Sequence, residues 1–396
     1  MQRGMLECFW VALKLGLSSF GGPVAHLGYF RETYVERIKW LSEKRYAELL
    51  ALTQFLPGPA SSQLGAAIGY ERAGWAGGFA AWLGFTLPSA LVMIAFAAGM
   101  GSIQDWFGAG WLHGLKLAAI AVVTVALIGM RRGLCPRWPE MMLAIAALVV
   151  LSLVAVVWMQ PLVILAGGLA GVVVFGRDEV KSNEDEPDGE RVSASGRVMR
   201  GLALACLLVV AMVVIPLLSQ SGRDAEAMGG LLQAGALVFG GGHVVLPLLE
   251  SSMVETGMLA KDTFLAGYGA AQAVPGPLFT FGGFLGAAMN LFGNAWWGGV
   301  AGTVAIFLPG MVLLAGALPV WNRLKHFPHA RAAVRGANAT VVGLLAAALL
   351  SMLSSGSVGG WLDAAGILLL ALALYFKWLP VWSLVVIAAV VSGLLA

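Results

Sequence analysis

The chain has 396 residues, 59% of them hydrophobic and 11% charged, with a formal net charge of +3 and a mean hydropathy of +0.85. Its many apolar runs of about 18 residues or more are each long enough to cross a bilayer, which makes it a polytopic membrane protein. The small positive charge comes mostly from loops and says little about nucleic acid, which is not expected as a partner because no basic, aromatic-interleaved soluble domain exists to bind it. Cys8, Cys135 and Cys206 lie far apart with no C-x-x-C spacing, so they read as packing residues rather than a metal site or disulfide framework.

Apolar segments are predicted at 6–22, 47–70, 75–101, 111–130, 138–159 and 161–176. The first resembles a secretory signal because Arg3 precedes it. However, Lys14 in its apolar run and a counterpart near 227–245 argue that it stays in the mature protein. From Arg177 to Arg200 the chain turns polar and acid-rich, the composition of a solvated linker. An apolar segment without a counterpart follows at 201–218. A second set then runs 227–250, 263–290, 294–320, 336–354, 361–376 and 378–395. The domain reading is a first transmembrane repeat over 1–176, a linker with an unpaired segment over 177–226, and a second repeat over 227–396.

The two sets are copies. Phe20-Gly21-Gly22-Pro23 and Gln54-Phe55-Leu56-Pro57-Gly58-Pro59 return as Phe239-Gly240-Gly241-Gly242 and Gln272-Ala273-Val274-Pro275-Gly276-Pro277. The offsets are 219 and 218 positions, and Pro88 to Pro309 adds 221. A hydrophobic half duplicated with its Gly/Pro breaks in register points to a transporter with its site at the repeat interface. An odd middle segment would invert the second half if every segment crosses. Basic residues trade places accordingly: Arg31, Arg37, Lys39, Lys44 and Arg45 face a second-half loop with only Lys261, while Arg323, Lys325, Arg331 and Arg335 face a first-half stretch without any. The expected fold is therefore an all-α polytopic membrane protein of about thirteen transmembrane segments in two inverted repeats. Re-entrant Pro-Gly-Pro segments and parallel repeats form the alternative, and the side of the 31–45 loop stays open.

Each Pro-Gly-Pro should divide its segment into two half-helices. Pro59 and Pro277 are expected as first helical residues, leaving free amides aimed at mid-depth where an anion could sit. Ser61, Ser62, Gln63 and Thr280 follow with hydroxyls and an amide suited to an oxyanion. The competing reading is a proline kink with serines bonded back to the backbone. Gly21, Gly22, Gly240, Gly241 and Gly242 could form anion-binding nests or permit close helix packing. His26 and His243 are candidate donors or proton carriers, or packing residues. With Lys14, His113 and Lys116 they give the apolar segments a cationic cast, while Glu48, Glu71, Asp105 and Glu140 fall at segment edges. No buried carboxylate is evident beyond Glu7, so the cargo should be an anion. The full candidate substrate-binding set is Gly21, Gly22, His26, Gln54, Gly58, Ser61, Ser62, Gln63, Lys116, Gly240, Gly241, Gly242, His243, Gln272, Gly276 and Thr280. No cofactor, metal or catalytic residue is expected.

Leu15 to Phe30, with Phe20-Gly21-Gly22-Pro23 at its centre, and Gln54 to Gln63 resemble the signature of the chromate ion transporter family. Phe239 to His243 and Ala273 to Pro277 repeat the resemblance, which covers nearly the whole chain in the family's long, two-repeat form. It implies efflux of chromate from the bacterial cytoplasm through the inner membrane, resistance to chromate, and halves of opposite orientation. The expected partners are chromate, sulfate as a competitor, and the lipid bilayer, with a homodimer left open. A carrier of sulfate or another oxyanion, a channel, and an intramembrane enzyme acting on lipid phosphate are the alternatives. The enzyme finds no G-x-S-x-G, H-E-x-x-H or paired carboxylates to support it.

Overall fold

The structure, a computed structural model, describes residues 2–108, 110–154, 159–184, 196–219, 222–239, 242–321, 327–354 and 358–395. These form α-helices joined by short 3-10 and π-helical turns. The first half holds α1 (Gln2–Ser18), α2 (Gly22–Phe30), a π-helical turn (Arg31–Arg37), α3 (Glu43–Phe55), α4 (Ala60–Phe107), α5 (Gly110–Leu134), α6 (Trp138–Leu153) and α7 (Met159–Glu184). After α8 (Gly196–Ser219), the second half repeats the order. It has α9 (Arg223–Leu237), α10 (Val245–Leu249), a π-helical turn (Glu250–Val254), α11 (Lys261–Ala273), α12 (Phe281–Ala288), α13 (Ala295–Ala317), α14 (Pro328–Ser354), α15 (Trp361–Tyr375) and α16 (Val381–Leu395).

Three expectations about boundaries change. The opening segment of the first half is not continuous to residue 22: α1 stops at Ser18, and Gly21, which caps α2, and Gly22, its first residue, take φ values of 97° and 75°. A Cβ on Gly22 would meet nothing within 4 Å, so its backbone conformation, not helix packing, calls for glycine there. Pro59 caps α4 rather than entering it as its first residue. Finally, α7 continues to Glu184 and α8 starts at Gly196. A helix satisfies its own backbone and needs no apolar face to persist past an apolar run. The linker's centre, 185–195, lies outside the described residues.

α4 is two antiparallel arms. Ala73 and Gly74 leave helical geometry, with Gly74 at φ 66°, and the arms then fold back so closely that Gly69 and Gly77 each face the other's carbonyl. α12 and α13 are the second-half counterparts of these arms, with Gly286 and Gly298 in the same relation. Among the described residues, five helices are long and apolar enough to cross a membrane: Ala60–Trp106, which is the bent pair, Gly110–Leu134, Met159–Arg177, Ala295–Val320 and Pro328–Ser354. Leu169, Val173, Trp361 and Leu394 are exposed on helix outer faces, as expected for side chains whose solvent is lipid.

The halves are interlaced. α5 packs on α15 and α16 of the other half, and α14 packs reciprocally on α6 and α7. The main apolar core draws Met93, Ile120 and Ile164 from the first half together with Phe264, Phe281 and Leu344 from the second. Neither repeat closes a core of its own.

Candidate functional site

Both Pro-Gly-Pro triplets end a helix, as expected. α3 gives way at Leu56 and α11 at Val274, each in extended conformation, and Gly58 and Gly276 adopt φ 119° and 99°. Such a break strips hydrogen-bond partners from the backbone at a depth where water is scarce. The two turns obtain them from each other's repeat. Gly58 N–H donates to the Val238 carbonyl at 2.7 Å, and Gly276 N–H donates to the Ser19 carbonyl at 2.9 Å. Ser19 and Val238 are equivalent positions, so this is one contact made twice. A second contact is also reciprocal: a Cβ on Gly58 would lie 3.0 Å from Gly310 Cα, and one on Gly276 would lie 2.8 Å from Ser89 Oγ. Ser89 and Gly310 each follow the helix-interior proline of their half, Pro88 or Pro309.

The side chains around these turns do not share the symmetry. In the first half Ser19, His26, Ser61, Ser62, Gln63, Thr86 and Ser89 are all buried. Their second-half equivalents are Val238, Val245, Phe279, Thr280, Phe281, Phe307 and Gly310, all but two of them apolar. His26 anchors the polar set. Its Nε2 lies 3.2 Å from the Ser19 carbonyl and its Nδ1 3.3 Å from Ser61 Oγ, with the Phe85 ring edge-on at 5.3 Å. Ser89 Oγ donates to the Thr86 carbonyl. Ser19 Oγ, Ser62 Oγ and Thr86 Oγ1 are buried without any hydrogen-bond partner. Each of these hydroxyls belongs to a residue that touches His26 or adjoins in sequence one that does, and their burial carries a desolvation cost that a ligand with acceptor oxygens would relieve.

The other candidates fall in three places. Gln63 lies beside the cluster, but its Nε2 donates to the Pro57 and Gly310 carbonyls. Its free Oε1 faces a ligand only as an acceptor, so Gln63 ties the first turn to α13 instead of donating to an anion. Thr280 spends its hydroxyl on the Pro277 carbonyl at 2.9 Å. His243 Nδ1 bonds the Tyr268 hydroxyl at 2.8 Å, one helical turn from Gln272, whose Nε2 is buried and unbonded. This second, smaller polar group sits in an apolar half. Gly242 is buried beside it, Gly240 and Gly241 lie outside the described residues, and Gln54 is exposed on α3.

The cationic cast of the apolar segments does not survive. Lys116 pairs with Asp262 at 3.0 Å and His113 with Asp363 at 2.9 Å, while Lys14 is exposed. The expectation of no buried carboxylate beyond Glu7 is also corrected, since Glu7 is half-exposed in a pair with Arg72. Glu140 is 1% exposed and bonded to Arg335, whose guanidinium lies over the Phe175 ring at 4.0 Å. Glu250 is 5% exposed and pairs with Lys261 at 2.9 Å. A carboxylate near a segment's end in sequence can still be covered by helices from the other repeat, and linear position does not record that. Ser19, Thr86, Ser89 and Tyr268 were absent from the sequence-derived set. Ser19 stands inside the repeated opening motif, and Thr86 and Ser89 flank the aligned Pro88, so that alignment was the signal for all three.

A family model described as chromate transporter matches residues 6–172 and 225–394. The chain is 30% identical over 395 residues to the chromate transport protein of Pseudomonas aeruginosa, covering 95% of this chain and 88% of that protein. It is 27% identical over 395 residues to the chromate transport protein of Cupriavidus metallidurans, covering 97% and 91%. An uncharacterized transporter of Bacillus subtilis is 31% identical over 124 residues, which is 31% of this chain but 66% of that protein. No solved structure matches.

Proposed function

Because this chain belongs to the chromate transporter family, and is a multi-pass membrane transporter rather than an enzyme, we propose that it carries chromate out of the cytoplasm across the bacterial inner membrane. The observation that carries the site assignment is the set of buried, unbonded hydroxyls of Ser19, Ser62 and Thr86 beside His26. Chromate offers four acceptor oxygens and no proton, so a site of donors without a carboxylate suits it.

The direction follows from charge. A dianion leaving an inside-negative cell gains about 4.6 kcal/mol per 100 mV, at about 2.3 kcal/mol per charge. Alternating access would rock one repeat against the other, exchanging the reciprocal turn contacts of Gly58 and Gly276. Inversion of the repeats is supported by the trade of basic residues between equivalent loops, Arg31, Arg37, Lys39, Lys44 and Arg45 in the first half against Lys261 alone in the second.

The test is saturable chromate flux into sealed liposomes under an imposed positive interior. The double variant Ser62→Ala, Thr86→Ala should raise the half-saturating chromate concentration by about tenfold for each hydroxyl removed, with the protein still monodisperse. Unchanged saturation would remove the site from this cluster. Because hydroxyl donors accept any deprotonated tetrahedral dianion, sulfate should compete; inhibition at equal concentrations would make the cargo the broader oxyanion class.

A further inference from the structure

The hydrogen bonds of His26 have a fixed direction, and this ties anion binding to a proton. The Ser19 carbonyl can only accept, so the His26 Nε2 facing it at 3.2 Å carries hydrogen. In the neutral ring Nδ1 is then an acceptor, and its partner at 3.3 Å, Ser61 Oγ, must donate. While His26 is neutral, Ser61 therefore has no proton to offer an anion and presents only lone pairs. Protonating Nδ1 reverses this bond. Nδ1–H donates to Ser61 Oγ, and the Ser61 O–H is released to bond an oxyanion, while the ring adds a positive charge at the site.

On the reading that chromate binds at this cluster, we infer that His26 is the coupling site of the transporter, taking up one proton with each oxyanion by turning the Ser61 hydroxyl. The loaded site holds a dianion and an imidazolium, one net negative charge. Coupling thus halves the electrical drive for efflux and adds a dependence on the proton gradient. The surroundings make the ring's charge answer to the ligand. From the turn after α1 it meets the Ser19 carbonyl, from the first arm of α4 Ser61, and from the second arm Phe85. α3 contributes Tyr46, whose hydroxyl donates to the Leu27 carbonyl at 2.7 Å. The charged groups of these elements are engaged elsewhere or exposed. Glu7 pairs with Arg72, Arg31 with Glu36 and Glu43, and Arg45 with Glu48 and Glu71, while Lys14 is on the surface. The ring has no carboxylate partner among the described residues, so a bound anion would be its counter-charge. The Ser19 carbonyl also receives Gly276 N–H from the second repeat at 2.9 Å. The proton site and a contact that rocking would exchange therefore share one oxygen.

The test uses the purified full chain in sealed liposomes, with potassium and valinomycin holding the potential at zero and chromate kept alkaline enough to be a dianion. With the interior about one pH unit more alkaline, one proton per anion predicts about tenfold chromate accumulation, with acidification reported by an internal dye. His26→Gln keeps a donor for Ser19 and an acceptor for Ser61 but cannot titrate. It should transport more slowly and bring interior chromate only to the bath level, while a positive interior still concentrates it. Ser61→Ala keeps the imidazole and should lose the same accumulation, which guards against a folding defect in the histidine variant. Wild-type protein that ignores the pH gradient, or either variant that still accumulates chromate from it, would overturn the coupling. If Ser62→Ala, Thr86→Ala raises the half-saturating concentration while His26→Gln keeps pH-driven accumulation, the binding site stands and the proton site falls. If none of these variants changes saturation, the binding site fails and the coupling with it.

Discussion

Gly58 and Gly276 show how much a single residue decides here. Each is held at a positive φ that L side chains resist, and each backbone touches the other repeat, Gly58 at Gly310 and Gly276 at Ser89. An alanine at Gly58 meets strain of about 1–2 kcal/mol and a backbone that cannot give way. Gly58→Ala should therefore lower the thermal midpoint in detergent, whereas Gly99→Ala, in helix with nothing within 4 Å, should leave it equal or higher. Equal losses at the two sites would show that the turn tolerates a side chain. The glycines were legible in the sequence because Pro-Gly-Pro restricts the backbone locally. The task of Gln63 was not, because one of the carbonyls it bonds, Gly310, comes from 247 residues away. Ser61 and Ser62 were legible as polar residues, but which of them has a free proton depends on His26, and that is a matter of three-dimensional contact.

Among the elements, helix positions followed the apolar runs, while helix ends and partners did not. The apolar stretches at 47–70 and 75–101 became α3 and the two arms of α4, since glycine and proline punctuate the chain where the breaks occur. The pairing of α6 with α14 left no trace in either helix alone, yet it buries the Glu140–Arg335 pair. Removing one partner of a buried pair leaves the other charge uncompensated. Glu140→Ala should thus cost about 3–5 kcal/mol, while Glu7→Ala, which breaks a half-exposed pair with Arg72, should cost about 0–1 kcal/mol. Chemical or thermal unfolding in detergent would compare them, and a Glu140→Ala protein as stable as Glu7→Ala would mean that the pair is solvated.

For the whole molecule, the interlaced halves make one body joined by two equivalent turn contacts rather than two domains side by side. Inverted repeats predict that equivalent surface positions face opposite sides of the membrane. Arg37 and Thr256 are equivalent and both exposed. In a background with Cys206 replaced by serine, Arg37→Cys and Thr256→Cys should be labelled by an impermeant thiol reagent from opposite faces of oriented vesicles. Labelling from one face would make the repeats parallel.

The sequence by itself determined that the chain is helical and membrane-embedded, that it is built from a duplicated half, and that each half is broken at Pro-Gly-Pro. These are properties of local backbone preference and apolar run length, carried by neighbours in the chain. The tertiary structure alone decided that the larger polar group gathers around His26 in the first half, with a smaller one at His243 and Tyr268 in the second. It also decided that Lys116 and His113 are matched by Asp262 and Asp363, and that Glu140 and Glu250 are buried. The reason is physical: a buried charge or hydroxyl takes its chemical meaning from what packs against it. In this fold much of that packing comes from the other repeat, some two hundred residues along the chain.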